Sequence, residues 1–164
     1  MAVRYFSLVA GLLYLALGLL GAIPAFLTAD HTAPWYLQEV GVSDGFGYLF
    51  GIFPINAVES VLYITIGLAG LVGYVGTESF ARLYADTLAV WLGILGVLGL
   101  IPIAQTVFGL FPVYGSDVVL HLGTAAIAAY FGFALDRGRP GKDPSVPDAI
   151  DPDPIKNAPI GSDS

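Results

Sequence analysis

An all-α bundle of four transmembrane helices is predicted by three features of the sequence. The chain has 164 residues, of which 56% are hydrophobic and only 12% charged, too little charge to cover a water-soluble domain of that size. Four stretches, 5–29, 60–77, 87–116 and 118–135, contain no Asp, Glu, Lys or Arg. Each is about the length a bilayer core requires, roughly 20 residues. The runs are continuously apolar and lack the alternation of a membrane-spanning barrel.

The expected helices cover 5–27, 56–77, 83–105 and 115–136, making one domain over 1–136. Helix one starts after Arg4, and its apolar run is longer than the core of a typical secretory signal, so it is expected to remain as a span. Pro54 and Pro112 are expected to begin the descent into helices two and four, where a missing N–H costs little. Helix three opens with Arg82 and Asp86, spaced i, i+4 as a snorkelling ion pair. The segment 137–164, rich in Pro, Asp, Gly and Ser, is expected to be a disordered tail.

The basic residues suggest one orientation. Arg4, Arg82, Arg137, Arg139, Lys142 and Lys156 all fall at the same end of the four spans, and the connections 28–54 and 106–114 contain no Lys or Arg. Positive-inside logic places both termini in the cytoplasm of a multi-pass protein of the cell membrane. The long 28–54 connection carries Trp35, Tyr36, Tyr48, Phe50 and Phe53 and is expected to lie on the outer membrane surface, with a short helix around 34–41.

The chain also reads as two copies of one helix pair. A shift of 78 positions lays Arg4–Pro24 over Arg82–Pro102, and a shift of 58 lays Gly51–Tyr63 over Gly109–His121. Both copies would begin inside, as parallel repeats. Small residues recur on one flank of every helix. Gly18 and Gly21 on helix one, and Gly93 and Gly96 on helix three, are the expected close-packing positions, because small side chains let backbones approach where lipid gives no hydrophobic drive.

Four polar positions are the candidate ligand or proton site: Glu59, Tyr63, Asp117 and His121. One reading makes the acids helix caps. Asn56 followed by Glu59 has the spacing of a capping box, and Ser116 or Asp117 can cap helix four directly. The other starts from depth. The acids lie near the outer interface, Tyr63 and His121 lie one turn deeper, and all four share faces with the small residues assigned to the bundle interior. A proton- or cation-binding cluster follows from that second reading; the sequence favours the cap for Asp117.

Other chemistry has little support. There are no cysteines and only two histidines, His31 and His121, with no HExxH-like pair, so no metal site is expected. No phosphate-binding loop, nucleophile elbow or basic nucleic-acid patch is present, and neither an enzyme, a cofactor nor a nucleic-acid partner is expected. The expected partners are the lipid bilayer and, for a bundle with small-residue faces, a second copy or another membrane protein. Two functional classes stay open: a structural or interaction bundle, which the sequence favours, and a minor transporter or sensor using the outer polar cluster.

The paired helices, the GxFP turns and the polar openings of helices two and four resemble the prokaryotic membrane family catalogued as domain of unknown function 4383, over about residues 4–136. That resemblance implies four helices and a membrane location, with no established activity. It also implies a histidine- and asparagine-rich opening on the second helix and an Asp-to-His opening on the fourth. Asp117 to His121, DVVLH, matches the latter, whereas Glu59 to Tyr63, ESVLY, departs from the former and weakens a metal site common to the family.

Overall fold

The computed structural model describes residues 1–28 and 45–135. The expected helix at 34–41, His31, Trp35, Tyr36 and the tail 137–164 lie outside the described residues. Among the described residues, four helices are long and apolar enough to cross a membrane: α1 (Ala2–Gly21), α2 (Ala57–Val75), α3 (Glu78–Gly99) and α4, a span over Ser116–Ala134. The chain is a four-helix transmembrane bundle.

The helix ends have local causes. α1 stops at Gly21 because Ile23 is extended ahead of Pro24, which opens a tight turn. α3 stops at Gly99 for the same reason, with Ile101 extended before Pro102. At its start the Thr77 hydroxyl accepts from the Phe80 amide at 3.2 Å, a side-chain N-cap. α4 is α-helical over Ser116–Ala129 and then widens into one π turn over Tyr130–Ala134.

Most interhelical contact runs within two antiparallel pairs, α1 with α2 and α3 with α4. Glycine makes this possible. A Cβ on Gly67 would sit 2.5 Å from the Leu15 amide nitrogen, and one on Gly18 would sit 2.6 Å from that of Ile64. At Gly21 it would meet Ile55, and at Gly96 the Leu122 side chain, both at 2.5 Å. Gly93 differs from the expectation. A Cβ there would meet only that of Ala125, at an ordinary 3.8 Å, because the α3–α4 contact runs through Gly96 and Gly99. Between the pairs, Phe6 stacks on Phe131 with ring centroids 5.1 Å apart. Leu92, Val113, Leu49 and Tyr14 are fully buried in the core.

The connections hold a feature the sequence did not announce. Three short strands, β1 (Leu27–Thr28), β2 (Gly47–Leu49) and β3 (Phe53–Ile55), form an antiparallel sheet in the order β1-β2-β3. This sheet marks one end of the bundle, and the amino terminus and the Gly76–Thr77 turn mark the other. Pro54 therefore lies in a strand, opposite Tyr48, and not in the first turn of α2. Pro112 likewise precedes the Gly115 N-cap of α4. Both prolines are fully buried. Phe50 (φ 55°) and Phe108 (φ 60°) both take the left-handed backbone conformation, each just before a glycine that also does.

At the opposite end, Arg82 reaches back to Glu78 at 3.5 Å, the i−4 partner, where the sequence reading paired it with Asp86. Glu78 also meets the terminal ammonium at 3.2 Å. Arg4 donates twice to the Tyr74 carbonyl, at 2.9 and 2.6 Å, closing the last turn of α2 with a cation.

Candidate functional site

α2 follows β3 through Asn56. The Asn56 Oδ1 accepts from the Glu59 amide at 2.9 Å, so Asn56 is the N-cap the sequence predicts. Its Nδ2 donates to the Leu110 carbonyl at 2.7 Å and ties the cap to the 106–115 connection. The reciprocal half of a capping box is not made. The Glu59 side chain turns inward, where it is fully buried, and neither of its oxygens accepts a hydrogen bond. Its neighbours are the Tyr63 and Asp117 side chains.

α4 opens differently. Gly115, at φ 64°, takes the N-cap position and offers no side chain, while the Ser116 hydroxyl donates across to the Ile52 carbonyl. The expected capping role of Asp117 is therefore corrected. It stands in the first turn, but its carboxylate makes no bond to the first-turn amides. It is turned into the bundle, fully buried, and its Oδ1 accepts from the Tyr63 hydroxyl at 2.6 Å. With a glycine in the capping position, the acid is left for the interior.

His121 lies one turn along α4, also fully buried. Its Nε2 is 3.1 Å from the Tyr63 hydroxyl, and its Nδ1 is 3.2 Å from Asp117 Oδ2. Neither Nδ1 nor Oδ2 has a hydrogen-bond partner, because the short approach is poorly aligned for one. All four residues expected from depth and helix face are thus brought together, two from α2 and two from α4. Glu59, Asp117 and His121 each present one donor atom, and these atoms lie within 4.8 Å of one another.

The surroundings hold this group in place. Tyr14 of α1 packs edge-on against Tyr63, ring centroids 5.1 Å apart, and donates to Thr124 of α4 at 3.2 Å. Tyr14 was not singled out from sequence. Its signal is that of a polar-tipped aromatic inside a charge-free span, which when buried needs a partner. At the sheet end the Tyr48 and Tyr114 hydroxyls share a 2.7 Å hydrogen bond.

Chemically, this is a cluster of two carboxylates and one imidazole, organised by one phenol and removed from water. An uncompensated buried carboxylate is costly, and such groups are paired or coordinate a cation. No curated protein and no solved structure matches the chain. Residues 4–134 match the family described as Domain of unknown function (DUF4383), nearly the whole four-helix region. The chain belongs to that family.

Proposed function

We propose that this membrane bundle holds a small cation at its sheet end, as a minor transporter or sensor, with no enzymatic role. Of the two classes left open by the sequence, this is the second. The observation that carries it is Glu59, a fully buried carboxylate with no hydrogen bond to either oxygen, facing a second carboxylate. A group whose only duty was to cap or pack would be paired or replaced by an apolar side chain, since ionisable groups at membrane depth are costly. We read the structural or interaction role as secondary, resting on the small-residue faces.

The distribution of basic residues supports cytoplasmic termini in the cell membrane, which would put the sheet end outside. Cysteines at Ile52 and Ser79, both exposed, test this. In intact cells an impermeant thiol reagent should label Ile52→Cys and spare Ser79→Cys; labelling of Ser79→Cys alone would reverse the orientation.

The site reading is tested by Glu59→Gln, which keeps shape and removes the charge. In chelator-treated protein in detergent, the substitution should raise the melting temperature, because a group kept for binding costs the fold stability. A lower melting temperature for Glu59→Gln would make Glu59 a structural group and end the reading.

A further inference from the structure

The geometry points to a divalent first-row transition metal, with zinc as the best fit, as the cation held by Glu59, Asp117 and His121, and to Tyr63 as the residue that orients two of these ligands. The inference rests on the cation-site reading above and names the chemistry of the ion.

The hydrogen bonds around Tyr63 carry the argument. A phenol has one proton. At 2.6 Å the Tyr63 hydroxyl gives it to Asp117 Oδ1, so at 3.1 Å it must accept from His121 Nε2. The proton on the ring therefore resides on Nε2, and Nδ1 is a bare lone pair. That lone pair lies 3.2 Å from Asp117 Oδ2, itself an acceptor without a donor. Both Glu59 oxygens are also acceptors without donors. The atoms without partners are thus one nitrogen and carboxylate oxygens from two residues, in a cluster where one donor atom of each residue lies within 4.8 Å of the others. One proton placed among them can serve only one pair of acceptors. A metal ion serves all three residues at once.

Charge, distance and ligand type agree. Once deprotonated on binding, two carboxylates with a neutral imidazole carry two negative charges, which a dication cancels in a site withdrawn from water. Zinc ligands stand at about 2.0–2.2 Å, so tetrahedral donors lie roughly 3.4 Å apart. The donors here, within 4.8 Å of one another, reach that arrangement by closing in on the ion by about 1 Å. Three protein ligands leave a fourth position for water or a further oxygen. The imidazole argues against calcium and magnesium, which favour six or more oxygen donors or retained water. Tyr63 holds the aspartate by the oxygen and the histidine by the nitrogen that do not face the site, the usual place of an orienting partner.

No short sequence motif encodes this set. The ligands lie at positions 59, 117 and 121 and meet only because α2 and α4 open at the same end of the bundle.

The test uses the full chain in detergent, stripped with chelator and titrated calorimetrically with ZnCl2, MgCl2, CaCl2 and NaCl. Wild type should bind one zinc ion per chain and His31→Ala should bind it equally. Glu59→Gln and His121→Phe should lose this binding, and Tyr63→Phe should weaken it by about tenfold to a hundredfold. Cobalt(II) added to wild type should give the visible absorption of a four-coordinate nitrogen and oxygen site, a readout independent of whether any variant folds. Failure of wild type to bind zinc or cobalt would overturn the metal assignment, as would equal zinc binding by a folded Glu59→Gln protein. Binding of sodium, magnesium or calcium that depends on Glu59 would overturn the transition-metal class and leave the cation site standing. Failure to bind any of these ions would remove both.

Discussion

The two ends of the bundle treat charge in opposite ways. At the end bearing the amino terminus, Glu78 is flanked by the terminal ammonium and Arg82, and its side chain keeps 42% of its exposure. Arg4 saturates the Tyr74 carbonyl. Those charges are paired and reach water, so each costs the fold little and contributes little; Asp86, one turn further along α3, is the exception, its Oδ1 buried without a hydrogen-bond partner. At the sheet end Glu59, Asp117 and His121 are all fully buried; Tyr63 serves Asp117 and His121, and Glu59 has no hydrogen-bond partner. The contrast separates charges that fasten a fold from charges that the fold must accommodate.

The strongest expected break in that contrast is at Tyr63. Tyr63→Phe would leave Asp117 Oδ1 and the His121 Nε2 proton both unserved. A buried group left without its partner costs about 1–3 kcal/mol in water-soluble proteins and less within membranes, so a loss of about 2 kcal/mol is expected by denaturant unfolding in mixed micelles. A neutral result would mean that the cluster is not organised by Tyr63.

Asn56→Ala comes next, at about 1.5 kcal/mol, because it removes both the cap on the Glu59 amide and the donor to the Leu110 carbonyl. Asn56→Asp should keep the cap and lose only the second bond. Equal losses in the two variants would show that the cap contributes nothing.

Glycine substitutions give a smaller effect that reads packing without charge. Gly96→Ala should cost about 1 kcal/mol, since the new methyl would press on Leu122, whereas Gly93→Ala should be neutral or slightly stabilising. Similar melting temperatures for the two would remove the distinction between these positions. The smallest effect belongs to the paired end. Glu78→Gln should change stability by less than about 0.5 kcal/mol, and the change should shrink in high salt. A loss as large as that of Tyr63→Phe would erase the contrast between the ends.

How much of this was legible depends on the length scale of each signal. Spans advertise themselves through some 20 apolar residues, and all four helices were read from their charge-free runs. The sheet was not read, because strands of two or three residues are too short to show alternation, and all three residues of Gly47–Leu49 are buried. The convergence of Glu59, Tyr63, Asp117 and His121 was legible through depth and helix face. The role of Asp117 was misread because an acid near a helix start looks like a cap, and only the backbone angle at Gly115 shows that the position was already taken. Arg82 could pair forward or back with equal spacing, and sequence spacing alone does not choose between Asp86 and Glu78.

Phe50 and Phe108 carry one more consequence. Both take unusual backbone angles; Phe108 stands clear of the protein, 97% exposed, while Phe50 is 54% exposed and packs edge-on against Phe26 with ring centroids 5.9 Å apart. The exposed part of an apolar ring on a membrane bundle is stabilised where acyl chains cover it. Two such rings on separate loops at one end act like the outriggers of a boat: rising towards the headgroups or sinking towards the midplane changes the surroundings of both together. Such a pair would favour one hydrocarbon level at the sheet end and, with it, a constant depth for the buried carboxylates.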